Sequence, residues 1–110
     1  MTAQQIKVQR QTTITDEMIR QINPLLDEGT VWGHHEGKAF LENPDNALFL
    51  ALIDGRVVGF LSAHRLQRFD QRQAEILLYE IGVHENFRKQ GVGKTLMDAA
   101  KHWGKTVGAD

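Results

Sequence analysis

Val83-His84-Glu85-Asn86-Phe87-Arg88-Lys89-Gln90-Gly91-Val92-Gly93-Lys94 links an apolar, strand-like segment to an amphipathic, helix-like one. Gly91 and Gly93 lack Cβ atoms where a ligand would have to approach the backbone, and a helix starting there offers unpaired N–H groups and the positive end of its dipole. Together these features make an anion cradle. Arg88, Lys89 and Lys94 surround it with positive charge suited to a diphosphate or a phosphorylated ribose. The competing reading is a tight strand-to-helix turn whose basic residues are simply solvated.

Two nucleotide motifs share these letters, and both fail. Gly91-Val92-Gly93-Lys94-Thr95 looks like the end of a Walker A loop, but G-x-x-x-x-G-K-[ST] requires glycine at position 88, which is Arg88. The dinucleotide fingerprint G-x-G-x-x-G requires a third glycine at position 96, which is Leu96. It also needs a ribose-binding acid about twenty residues on, for which too little chain remains.

Outward from the loop, periodicity supplies the elements. Residues 74–83 read as a strand apolar on both faces, expected in the middle of a sheet covered on both sides. Residues 47–53 and 57–64 flank Asp54-Gly55, a two-residue hairpin signal. Residues 6–11 alternate apolar and polar as a half-buried strand does. In residues 16–26, Met18, Ile19, Ile22, Leu25 and Leu26 recur at helical steps, with Pro24 placed to end or kink the helix. A weaker helix fits residues 35–42, between Gly33 and the turn cluster Asn43-Pro44-Asp45-Asn46. After the loop, residues 92–107 form a helix expected to turn Leu96, Met97, Ala99, Ala100 and Trp103 inward. The order is β-α-α-β-β-β-α.

With 110 residues, no cysteine and a formal net charge of −1, the chain is expected to be a single α/β domain, residues 1–110. The absence of cysteine excludes a disulfide framework and a thiolate zinc site. No secretory h-region stands at the N-terminus, and no apolar run approaches the length of a membrane span. A cytoplasmic protein without membrane or nucleic-acid partners is therefore expected. His34, His35, His64, His84 and His102 show no ligand spacing on one helix face, so no metal is expected either. His84, beside the loop, could shield phosphate; a solvated loop histidine is the other reading.

Arg88-x-x-Gly91-x-Gly93 resembles the [QR]-x-x-G-x-[GA] signature of the GNAT superfamily of N-acetyltransferases, and the order of elements derived from periodicity is the order in which that fold begins. The resemblance implies that Arg88, Lys89, Gln90, Gly91, Val92, Gly93 and Lys94 hold the pyrophosphate of acetyl coenzyme A. It also implies that the pantetheine arm pairs with the strand at Ile81, Gly82 and Val83, Gly82 leaving room for it. Residues 51–61, the loop Arg68-Phe69-Asp70-Gln71 and residues 75–83 look most like type I aminoglycoside 3-N-acetyltransferases. The implied reaction is transfer of an acetyl group to a primary amine of a small molecule. Glu28, Glu36, Glu42 and Asp45 could attract a cationic acceptor; acids ordinary to any soluble surface are the other reading.

The resemblance also singles out Glu80 as the base that removes a proton from the acceptor ammonium. Alternation places Glu80 on the face of Ile76 and Leu78, where burial would raise its pKa. An exposed glutamate at a splayed strand end is the alternative. Tyr79 is expected on the opposite face, in the core. Relative to the family, the chain is expected to lack the fifth strand and the elements after it, leaving the general acid unassigned. The open edge that results is expected to favour oligomers, a homodimer among them. A non-catalytic coenzyme-A-binding module and a nucleotide-binding protein are the other functions these residues allow.

Overall fold

The computed structural model describes residues 5–26, 29, 31–70 and 73–109; Glu28, Gln71 and Asp110 lie outside the described residues. Strand β1 (Lys7–Gln11) is followed by helices α1 (Asp16–Ile22) and α2 (His34–Glu42). Strands β2 (Asn46–Ile53), β3 (Arg56–Leu66) and β4 (Glu75–Val83) come next, and helix α3 (Val92–Thr106) closes the order. The order is the one expected, and the strands pair antiparallel in the sequence β1-β2-β3-β4.

Local chemistry accounts for the boundaries. Thr15 caps α1, its hydroxyl accepting from the Met18 N–H at 3.1 Å, while Asp16 and Glu17 sit at the positive end of the dipole. The helix stops at Ile22, earlier than residue 26, because Pro24 belongs to a short 3-10 turn over Asn23–Leu25. Asp54 and Gly55 both take positive φ, 52° and 78°, as a two-residue hairpin turn requires.

Two cores sandwich the sheet. On one face α3 presses Val92, Leu96, Ala100 and Trp103 onto Phe49, Ala51, Val58, Leu61 and Ala63. On the other face Met18 and Ile22 of α1, with Trp32, Phe40 and Leu41, cover Leu48, Leu50, Val57 and Phe60. Met97 does not turn inward as expected; it is 38% exposed, beside the edge of β4.

The expectation of a central β4 is overturned. The strands covered on both faces are β2 and β3, whereas β4 is an edge strand with Leu77, Leu78, Tyr79 and Ile81 all exposed. Apolar residues on both faces reveal a need for cover, not its presence. Past α3, Ala109 makes an isolated parallel bridge to Ala74, so the chain turns back to the outer edge of β4 and begins parallel pairing there. Among the described residues this is the pairing that makes the sheet mixed.

Candidate functional site

The loop ahead of α3 is built as its glycines demand. A 3-10 turn over Glu85–Phe87 is capped by His84, whose Nδ1 accepts from the Asn86 N–H at 3.1 Å. Lys89 then takes φ 64°, and Gly91, at φ 84°, caps α3 in the left-handed conformation. No atom lies within 4 Å of where a Gly91 Cβ would be, so glycine is required there by its dihedral, not by crowding. Thr95 is the first α3 residue to close onto the Gly91 carbonyl, with its N–H at 3.0 Å and its hydroxyl at 2.8 Å. No side chain caps the helix and no acid sits in its first turn. The N–H groups of Val92, Gly93 and Lys94 are those a helix start leaves for an outside acceptor.

The basic residues are less uniformly aimed than their spacing suggests. Arg88 is exposed and turns its Nε to the Val83 carbonyl at 3.3 Å, which ties the loop to the end of β4. Gln90 donates from its amide to the Asn86 carbonyl at 3.2 Å, closing the turn. Lys89 is exposed, and Lys94 pairs along the helix with Asp98 at 3.0 Å. Val92 is buried beneath the loop as its anchor.

Ile81, Gly82 and Val83 end β4 immediately before this loop, opposite Leu61, Phe60 and Gly59. Space at Gly82 is already used: an added Cβ would lie 2.5 Å from the Phe60 ring and 2.7 Å from the Leu25 carbonyl. The glycine thus lets the strand close on its own neighbours, a different reason from the one expected. Ahead of β4, Arg68 donates to Asp70 at 3.0 and 3.1 Å and to Glu75 at 2.7 Å. Hydrogen bonding to Asp70, then the charge of Glu75, pushes its guanidinium above the ordinary arginine value.

Glu80 lies elsewhere than alternation places it. Leu78 stands opposite Ala63, but Glu80 stands opposite Ser62, so one extra residue, Tyr79, bulges out of β4. Consecutive residues of β3 face opposite sides, and Leu78 and Glu80 therefore do too. Glu80 shares a face with Tyr79, whose ring packs on His64 with centroids 5.6 Å apart, and not with Ile76 and Leu78. Both Glu80 and Tyr79 are exposed, Tyr79 at 66%; of the two readings of Glu80 the exposed one is found, and the core position expected of Tyr79 is not.

The bulge turns Glu80 toward a cleft of about 70 Å³ between the sheet and the α1–α2 layer, lined also by Trp32, Phe40, Leu48, Phe60 and Ser62. Ser62 is 6% exposed, and its Oγ has no hydrogen-bond partner in the described structure. Trp32 is clamped from behind: its N–H donates to Asn23 Oδ1 at 2.7 Å, and Asn23 Nδ2 donates to its carbonyl at 3.1 Å. Ser62, Trp32 and Phe40 escaped the reading of the sequence, because a serine within an apolar strand and two aromatics in a loop and a weak helix carry no motif. An oxygen placed among apolar alternates in residues 57–64 was the available signal. Among the described residues, no three of His, Asp and Glu come together as a metal site.

Known proteins share both this sequence pattern and this fold. The model of the Acetyltransferase (GNAT) family matches residues 16–110. An aminoglycoside acetyltransferase from an uncultured soil metagenomic sample, meta-AAC0020, crystallised with sisomicin, superposes with a TM-score of 0.83 at 20% identity, over 96% of this chain and 73% of that one. AAC(6')-Iy in complex with a bisubstrate analogue, CoA-S-monomethyl-acetylneamine, gives 0.76 at 22% identity, over 96% and 79%. A ribosomal-protein-alanine N-acetyltransferase from Brucella melitensis gives 0.71 at 17% identity, over 93% and 73%. At such identities the superpositions establish the fold.

Proposed function

The chain belongs to the GNAT acetyltransferase family, and we propose that it transfers the acetyl group of acetyl coenzyme A to a primary amine of a small molecule. The observation that carries this reading is the juxtaposition at the end of β4: a helix N-terminus with no side-chain cap, flanked by Arg88 and Lys89, and a carboxylate turned by a bulge into a cleft. Arg88, Lys89, Gln90, Gly91, Val92, Gly93 and Lys94 receive the pyrophosphate, chiefly through the N–H groups of the first turn. The backbone of Ile81, Gly82 and Val83 pairs with the pantetheine arm and polarises the thioester carbonyl. Glu80 takes a proton from the acceptor ammonium, the free amine attacks the carbonyl carbon, and as the C–S bond breaks the nitrogen gives up its second proton to the departing sulfur, so that the amide and the coenzyme A thiol are the products.

The finer reading, likeness to the type I aminoglycoside 3-N-acetyltransferases, is supported by residues 51–61, 68–71 and 75–83; the position acetylated on an aminoglycoside product tests it. Neighbours crystallised with sisomicin and an acetylneamine analogue favour aminoglycosides. A ribosomal-protein-alanine N-acetyltransferase shares the fold, however, so the fold alone does not choose the acceptor. The reading sets the enzyme in the cytoplasm as a single domain with no role for membrane or nucleic acid, and the open edge of β4 favours a homodimer. No helix of the described residues is long and apolar enough to cross a membrane.

Because the chain has no cysteine, release of the coenzyme A thiol can be followed with a thiol-reactive dye free of protein background. An amine-dependent release that falls by about 10²–10⁴-fold in Glu80→Gln is expected of a general base. Full activity in that variant would remove Glu80 from the mechanism. Binding of acetyl coenzyme A with no release for any amine would instead favour a non-catalytic coenzyme-A-binding module.

A further inference from the structure

We infer that Arg56 and His84 form a second anion site, built apart from the N–H groups of α3, that takes a phosphomonoester dianion. One phosphate oxygen accepts from the guanidinium and the imidazole together. The site stands on its own geometry; only the assignment of that phosphate to the coenzyme rests on the acetyl-transfer reading above.

Proton positions fix the character of the pair. His84 Nδ1 accepts from the Asn86 N–H at 3.1 Å, so the proton of the neutral ring is on Nε2. Nε2 lies 3.2 Å from Arg56 Nη2, and a guanidinium nitrogen only donates. Two N–H groups therefore face each other at hydrogen-bonding distance, and neither is an acceptor. The other tautomer merely moves the conflict, setting an Nδ1–H against the Asn86 N–H. A protonated ring adds that conflict to the first and places a second cation beside Arg56. An oxygen that accepts both N–H groups at once relieves it, and a negative oxygen also answers the guanidinium charge.

The fold supplies no such oxygen and holds both donors in place. Asp54 and Glu85 are near in the chain, yet among the described residues neither Arg56 nor His84 pairs with a carboxylate. The His84 N–H donates to the Val58 carbonyl at 2.8 Å, and its ring packs edge-on against Phe87, with centroids 5.6 Å apart. Arg56 lies over the same Phe87 ring, 5.7 Å from its centroid. One aromatic ring thus sets a donor from the start of β3 against a donor from the end of β4, which preorganises the pair although Arg56 is exposed. The remaining guanidinium N–H groups suit the further oxygens of a phosphate, and its two charges match a cationic fork better than the single charge of a carboxylate. Val83, which precedes His84, carries the carbonyl that Arg88 bonds, so the pair adjoins the loop assigned to pyrophosphate. Coenzyme A bears a phosphomonoester on its ribose as well as that pyrophosphate.

Long-range proton–nitrogen NMR on protein with labelled histidine rings tests the site, with inorganic phosphate titrated against chloride at constant ionic strength. The His84 ring is expected in the Nε2–H tautomer, its nitrogens shifting saturably with phosphate and not with chloride. Arg56→Gln, an exposed change that leaves the melting temperature alone, is expected to weaken phosphate about 10–100-fold, and Arg56→Lys less, because the charge remains and the fork is lost. The Nδ1–H tautomer overturns the proposal, as does a His84 ring unmoved by phosphate and by coenzyme A, or one that answers them equally in Arg56→Gln. Calorimetry with coenzyme A and with its dephospho form, which lacks the ribose phosphate, distinguishes the two sources. A preference for coenzyme A that disappears in Arg56→Gln identifies the ribose phosphate as the occupant. Equal binding of both forms, with inorganic phosphate still shifting His84 in the coenzyme-loaded protein, identifies free phosphate. Phosphate binding at His84 without binding of either coenzyme form leaves the site standing and sinks the acetyl-transfer reading; coenzyme binding with a silent His84 sinks the site alone.

Discussion

Gly91 is asked for two things that no other side chain supplies together: a left-handed backbone, and an open approach to the first N–H groups of α3. Gly91→Ala keeps the approach nearly open but must hold φ 84°, which costs roughly 1–2 kcal/mol for a residue bearing a Cβ. A loss of stability of that size, seen as a lowered melting temperature, with modest loss of cofactor affinity is expected, read by thermal melting and calorimetry. An unchanged melting temperature would mean that the turn is not held left-handed in solution. The glycines and Arg88 were legible in the sequence because their requirement is local. The face of Glu80 was not legible. It depends on the register between β3 and β4, where the bulge at Tyr79 adds one residue on one strand only. Period-two alternation carries no mark of an insertion whose only trace is the partner strand. Ser62 escaped for a related reason, since an unpartnered hydroxyl is defined by what surrounds it.

At the scale of elements, the loop depends on how α3 seats on the sheet. Leu96 is fully buried against the core of β2 and β3 directly below the helix start. Leu96→Ala is expected to cost about 2–5 kcal/mol by the cavity it leaves, measured by denaturant unfolding, and to weaken the cofactor by loosening the helix N-terminus. On the other side, Gly82→Val would drive a branched side chain into the Phe60 ring and the Leu25 carbonyl. A loss of about 1–3 kcal/mol or more is expected from such overpacking, and a neutral result would show that the 3-10 turn moves freely away from β4. The boundaries of β2, β3 and α3 could be read from periodicity, because buried strands and an amphipathic helix write their environment into their letters. β4 could be read from its letters as a strand; that it leaves an open edge came from the resemblance and not from those letters. Its apolar residues on both faces fit a covered strand equally well, and position in a sheet is set by pairing, which one segment does not record.

At the scale of the whole molecule, the sheet has two unlike margins. Among the described residues β1 pairs with β2 alone, and β4 carries exposed Leu77, Leu78, Tyr79 and Ile81 on its two faces, with pairing along its outer edge seen at Ala74. Such an edge is a template for another strand. The 110-residue chain is therefore expected to associate with rising concentration in sedimentation experiments, and Leu77→Lys, which charges an exposed position of β4, is expected to shift it toward monomer. A monodisperse monomer at all concentrations would contradict this. The same margin joins the loop to the cleft, since Val83 leads into the anion cradle while Glu80, three residues earlier, faces the α1–α2 layer. The measurement to make is a calorimetric titration of acetyl coenzyme A, with ATP as control, into the parent chain and into an Arg88→Ala, Gly91→Glu double variant that is confirmed to be folded. Saturable binding of the acetyl coenzyme, indifference to ATP and loss of the signal in the variant are expected. Undiminished binding in the variant, or a preference for ATP, would contradict the assignment of the loop.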